Sequence, residues 1–107
     1  MNVIEVSTSA QFGHDKMQKV KLVSTPRMFA DLYCLLPGQE QRRHAHPESD
    51  KLYYVVSGVA EIGVGENRAR VSAGALVLAP AGDEHEVRNP GPYPLSIMVI
   101  MAPLPGH

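Results

Sequence analysis

Sulfur chemistry is nearly absent from this chain. Its 107 residues include one cysteine, Cys34, so no disulfide can close within the chain and no thiolate cluster can hold a metal. Net charge is just as scarce, a formal −1 from ten Lys and Arg against eleven Asp and Glu. A balance so near zero exerts no general pull on nucleic acid or on an anionic membrane, and no basic stripe interleaved with aromatics is present. No apolar run approaches the length that crosses a bilayer. The first ten residues, Met1 to Ala10, lack the basic start and continuous apolar run of a signal peptide, so the expected compartment is the cytoplasm. Also missing are a Gly-x-Gly-x-x-Gly turn, a Walker loop, a Cys-x-x-Cys pair and a nucleophile elbow.

What is there is the pattern of an all-β domain. The length fits one domain, enough to bury roughly two-thirds of the unfolded surface. Hydrophobic residues make up 44% of the sequence, within the globular range. Nine glycines and nine prolines are spread along the chain rather than packed into one linker, and they separate short apolar runs of strand length. Strands are expected at Met28 to Leu36, Leu52 to Val56, Val59 to Val64, Arg68 to Val71, Ala75 to Ala79, His85 to Asn89 and Leu95 to Ala102. Each ends in a turn signal such as Pro37-Gly38, Ser57-Gly58 or Ser72-Ala73-Gly74. Many short strands with regular turns indicate a sandwich or barrel. Nothing reads as a long helix. The sparse apolar positions from Ala10 to Leu22 suggest an arm with one strand, so residues 1–19 are assigned to an N-terminal arm and 20–107 to a single barrel. Gly38 to Val64 and Gly74 to Ile100 echo each other: each runs glycine, strand or turn, histidine, strand.

Of five histidines, His44 and His46 are the informative pair. Residues i and i+2 of a strand share a face and lie roughly 7 Å apart, so two imidazoles so placed can converge on one ion with bonds of about 2.1 Å. Each half of the chain repeats the arrangement of a glycine that opens a strand after a turn. Pro80-Ala81-Gly82 then re-aims the chain so that His85 can face inward with the first pair. His14 and His107 fall in terminal segments and receive no role.

The segments Gly-Gln-Glu-Gln-Arg-Arg-His-Ala-His from Gly38 and Gly-Ala-Leu-Val-Leu-Ala-Pro-Ala-Gly-Asp-Glu-His-Glu-Val-Arg-Asn from Gly74 resemble the two signature motifs of the cupin superfamily. The second agrees at Gly74, Pro80, Gly82, His85 and Asn89; the first agrees at Gly38, His44, His46 and Gly58. The resemblance spans Gly38 to Asn89, about half the chain. It implies a double-stranded β-helix (cupin or jelly-roll) barrel and four metal ligands, three of which carry over as His44, His46 and His85. The fourth, a glutamate, falls on Lys51, with Asp50 beside it and Glu48 two residues beyond His46. The implied cofactor is a divalent transition metal: iron, manganese, nickel, copper or zinc.

An ammonium cannot ligate a metal while protonated, and at about 4 Å each unit of like charge costs around 4 kcal/mol at an effective dielectric near 20. Three placements are open for Lys51. It swings away with its head in water, it sits near the ion with a lowered pKa, or it takes the place of the cation. The first is expected, leaving three histidines completed by water; a rescue by Asp50 through a slipped register, or by Glu48 folding back, is open as well. By period two, Tyr53 shares the face of Lys51, as pocket wall or hydroxyl donor. Lys51 and Tyr53 are therefore the candidate proton-handling residues. Cys34 reads as a small buried hydrophobe, Arg42 and Arg43 as solvated charges or anion contacts at the pocket mouth, and Asn89 as a residue that orients the second motif.

Two functions from different classes follow. The first is an enzyme acting at a metal on a small organic substrate, by the oxygenase, isomerase, decarboxylase or lyase chemistry that occurs among proteins similar to this one. The second is a metal-free module that binds or senses a small molecule without turnover. In both, the partner is a small molecule rather than nucleic acid or membrane, and the arm with its exposed first strand suggests a homodimer.

Overall fold

The computed structural model describes residues 1–105, so His107 lies outside the described residues. A short 3-10 turn at Val6–Thr8 is followed by nine strands: β1 Gln18–Ser24, β2 Phe29–Leu35, β3 Glu40–His44, β4 Asp50–Ser57, β5 Val59–Val64, β6 Asn67–Ser72, β7 Leu76–Ala79, β8 His85–Arg88 and β9 Leu95–Ala102. They form two antiparallel sheets, a five-stranded one in the order β1-β2-β9-β4-β7 and a four-stranded one in the order β3-β8-β5-β6. The chain is a double-stranded β-helix, as expected. All the strands expected between Met28 and Ala102 are formed, with ends shifted by a residue or two.

The core lies between the sheets and follows from alternation. On β4, Tyr53 and Val55 point inward while Leu52 and Tyr54 point outward, and Tyr53 and Val55 pack with Tyr33, Leu35, Ile97 and Val99. Strand β2 is buried on both faces. Its outward residues Leu32 and Cys34 are fully buried, and the N-terminal arm reaches back to this face, where the Gln11 N–H meets Cys34 Sγ at 3.4 Å. Burial pushes the Cys34 thiol up from its ordinary pKa, so this cysteine is the inert hydrophobe expected.

Two features of backbone chemistry position the site. Gly58 sits at φ +92° between β4 and β5, and a Cβ there would meet the Pro94 carbonyl oxygen at 2.5 Å; both the angle and the approach require glycine. The β3–β8 pairing contains a bulge. Gln41 faces Val87, but three residues later His44 faces His85, only two residues earlier on β8. The extra residue in β3 turns both Gln41 and His44 toward the interior, although they stand an odd number of positions apart.

Candidate metal centre

The bulge makes His44 and His85 direct cross-strand partners, with ring centroids 4.4 Å apart. His46 does not share a strand face with His44 as the i, i+2 reading expects: β3 ends at His44, and His46 enters from the loop that follows. That loop is held by the Gly82 N–H, which donates to the His46 carbonyl at 2.9 Å, and by the Asp50 carboxylate, which accepts from the Ala81 N–H at 2.9 Å. The Pro80-Ala81-Gly82 turn thus does two things: it aims His85 inward and it clasps the loop carrying His46. One candidate donor atom from each of the three histidines lies within 4.8 Å of the others.

Hydrogen bonds fix two of the ring tautomers. His44 Nδ1 lies 2.7 Å from the Arg42 carbonyl, and His85 Nδ1 lies 3.2 Å from the Asp83 carbonyl. A carbonyl only accepts, so each Nδ1 carries the hydrogen and each Nε2 presents a lone pair. This is the arrangement that orients a metal-ligating histidine. His85 Nε2 is buried with no hydrogen-bond partner among the described residues, while His44 Nε2 and His46 Nε2 face each other at 3.1 Å. A buried lone pair without a donor carries a desolvation cost, and an electrophile at the meeting point of the three rings removes it. Burial, followed by the charges of Lys51 and His44, lowers the His85 pKa to about 4, and burial lowers that of His46; neutral imidazole is the ligating form. The residues present therefore fit a divalent transition ion.

Lys51 is where the structure departs most from expectation. Its head is not in water: the residue is fully buried. The ammonium donates to Gln41 Oε1 at 3.1 Å and to Tyr33 Oη at 3.3 Å, and lies 5.1 Å and 4.9 Å from the ring centres of Tyr33 and Tyr53. Gln41 Nε2 in turn donates to Tyr33 Oη at 2.9 Å, and Tyr53 Oη donates to Gln41 Oε1 at 3.2 Å. Desolvation brings the Lys51 pKa down to about 7 and raises Tyr33 to about 12. It pushes Tyr53 higher still. The first placement gives way because Gln41 Oε1 and Tyr33 Oη, from β3 and β2, accept from the ammonium inside the barrel, and the Asp50 rescue fails because the register does not slip at the start of β4. Lys51 pairs with Met101 and Ala79, its side chain turned inward, while Asp50 points out to the Ala81 N–H. Neither Asp50 nor the exposed Glu48 joins the histidines among the described residues.

Tyr53 shares the interior with Lys51, as period two requires, its ring 6.1 Å from that of His85. Asn89 is fully committed to structure. Its amide donates to the Leu35 and Tyr93 carbonyls and its oxygen accepts from the Gly91 N–H. Arg43 is not a free anion contact; it pairs with Glu84 and Glu86 and donates to the Gly65 carbonyl, whereas Arg42 is exposed. Sequence reasoning missed Gln41 and Tyr33, the two residues that hold the Lys51 ammonium. Gln41 sits in a polar pentapeptide without alternation, and only the bulge turns it inward.

Residues 31–101 match the cupin domain family. A solved structure from Thermus thermophilus, TT1209, is 40% identical with a TM-score of 0.96 and covers 98% of this chain and 100% of its own. An uncharacterized conserved protein with a double-stranded β-helix domain from Klebsiella pneumoniae is 25% identical with a TM-score of 0.88, covering 96% of this chain and 90% of its own. Among curated proteins, the tetracenomycin polyketide synthase protein TcmJ of Streptomyces glaucescens is 29% identical over 65% of this chain, a match spanning 47% of TcmJ. From its paired motifs, its two-sheet barrel and the family match over residues 31–101, the chain belongs to the cupin family.

Proposed function

We propose that this cupin binds a divalent transition metal through His44, His46 and His85 and acts there on a small organic substrate. The observation that carries the reading is the convergence of three histidine donors, one of them a buried Nε2 with no hydrogen-bond partner among the described residues. A bound ion supplies Lewis-acid polarisation of a substrate oxygen, or activation of water or dioxygen. Around it, Lys51 Nζ is the group that can both take and give a proton near neutral pH, because burial brings its pKa to about 7. Tyr53, with its phenol held neutral, serves as wall and as donor to Gln41. Oxygenation, isomerisation, decarboxylation and lyase chemistry are all compatible with this set. The name of TcmJ ties that relative to polyketide synthesis, which accords with a small organic substrate here.

The second reading, a metal-free binding module, is favoured by one observation: a buried lysine stands where the family places an anionic ligand. Lys51→Glu discriminates between them. Cobalt(II) titration followed by d–d absorption should show about tenfold tighter binding in this variant than in wild type, with changed turnover once a substrate is known. Equal cobalt affinity in both would count against Lys51 facing the ion.

We also infer that the working unit is a homodimer formed through the outer face of the five-stranded sheet. The cross-strand rows Ile100–Leu52–Leu78 and Met98–Tyr54–Leu76 run over β9, β4 and β7 without a charged side chain, and Leu76 and Leu78 are 62% and 54% exposed. A charge-free sheet face is self-complementary under a twofold axis, so a second copy is the partner it fits.

A further inference from the structure

Strands β6 and β7 end their two sheets, and residues of both line a cavity of about 580 Å³, a volume in the small-molecule range. Ile62, Val64 and Ala69 form one wall, Val77 and Pro80 the other. Alternation turns four of these inward. Ile62 belongs to the core, Val64 and Val77 pack against it, and Ala69 is the direct partner of Ile62 on β6. The charged neighbours on β6 point the other way, Arg68 to Glu86 and Arg70 to Glu61. Yet Ala69 is exposed, so water reaches the apolar inner face of the barrel here. Small residues fill little of the roughly 10 Å between stacked sheets, and the space left is a slit with flat, uncharged walls.

The slit joins the histidine centre along the β-ladder. His44 faces His85, His85 faces Val64, and Val64 faces Asn67. One inner row thus crosses β3, β8, β5 and β6, with histidines at one end and the cavity at the other. Directly opposed residues hold their Cβ atoms about 5 Å apart, so the Val64 side chain that lines the cavity is the immediate neighbour of His85. Asp83 serves both places: it borders the cavity, and its carbonyl accepts from His85 Nδ1. On the other sheet, Val77 faces Tyr53, whose ring lies 6.1 Å from that of His85. A molecule seated against Val64 is therefore one strand spacing, about 4.8 Å, from His85.

We propose that this slit receives the apolar body of an uncharged aromatic molecule, with its oxygen-bearing end directed past Val64 to His85. This substrate class belongs to the site already described and rests on that reading only for the direction of the oxygen; the slit itself needs no metal. Val64, Ala69 and Val77 become specificity residues, selecting planar apolar bodies over charged ones, for which these walls offer no partner.

Phenol and 2-naphthol are probes that share a hydroxyl and differ by one ring. Their binding is to be followed by methyl chemical-shift titration of the chelator-treated full chain. 2-Naphthol should move the methyl signals of Ile62, Val64, Ala69 and Val77 and bind at least about tenfold tighter than phenol. Ala69→Phe, a substitution at an exposed position, fills the slit and should weaken 2-naphthol at least about tenfold while cobalt(II) uptake stays that of wild type. Ala69→Leu should weaken it less, and Tyr54→Ser, on the outer face of the other sheet, should change nothing. With one equivalent of cobalt(II), the ligand protons beside the hydroxyl should broaden more than those of the far ring. No 2-naphthol binding up to about 1 mM, equal binding of the two probes, shifts confined to Leu52, Leu76 and Leu78 on the outer face, or undiminished affinity in Ala69→Phe would each overturn the slit as the binding place. Stronger broadening of the far ring would overturn the direction of the oxygen. A chain that binds 2-naphthol at these residues yet takes up no cobalt sustains the ligand class and defeats the metal reading. Cobalt uptake with no 2-naphthol binding does the reverse.

Discussion

Lys51 concentrates the residue-scale physics of this protein, because its ammonium is carried into a core it would ordinarily avoid. Its pKa falls from 10.5 to about 7 on folding. Between those values the unfolded chain holds a proton that the folded chain has released, so stability rises with pH across this window, by up to about 1.4 kcal/mol per pH unit for one proton. Below pH 7 both states are protonated and the cost of the buried charge is present in full. Urea midpoints of the metal-free wild type should therefore increase from pH 7 to pH 9.5, and those of Lys51→Met should lack that increase. Parallel profiles would mean that Lys51 stays charged inside. At this scale the sequence was only partly legible. The three histidines are readable because i, i+2 spacing and a turn-directed partner are local signals. The interior placement of Lys51 was open because a long side chain has two physically reasonable exits, and what decides between them, Gln41 and Tyr33, comes from two other strands.

At the scale of elements, punctuation carries most of the information. Strands β4, β5, β7 and β9 were legible as apolar runs closed by glycine or proline. Strand β3, Glu-Gln-Arg-Arg-His, has no such run, and only its position before the His44–His46 pair marks it. Its bulge was not legible at all, since an extra residue in a ladder is a property of the pair of strands. Gly58 shows how narrowly the elements are joined. A methyl group there meets both a positive φ and the Pro94 carbonyl oxygen, so Gly58→Ala should lose about 2 kcal/mol or more of stability. Chemical denaturation measures this, and a loss below about 0.5 kcal/mol would show that β4–β5 and the Pro94 segment can separate freely.

For the whole molecule, the double-stranded β-helix followed from motif spacing because two local signatures at a set separation constrain how the halves must meet. The face the barrel leaves uncovered was not legible in the same way. Leu76 and Leu78 read as part of a buried strand, and the structure places them outward at the edge of the five-stranded sheet. Leu78→Arg puts a charge into this apolar face and should convert the proposed dimer to a folded monomer, as seen by sedimentation or light scattering with an unchanged circular dichroism spectrum. A wild-type chain that is monomeric at about 100 μM, far above the Kd of a stable interface, would remove the proposed dimer.

The proposed metal site sets three histidines, on a bulged strand pair and its clasped loop, beside a buried lysine. Elemental analysis of the untagged protein, purified without chelator, decides whether it is filled. The expected result is about one equivalent of a single transition metal per chain, lost in His85→Ala. Less than about a tenth of an equivalent, persisting after metals are added back, would contradict it and leave Lys51 as the cation of a metal-free binding site.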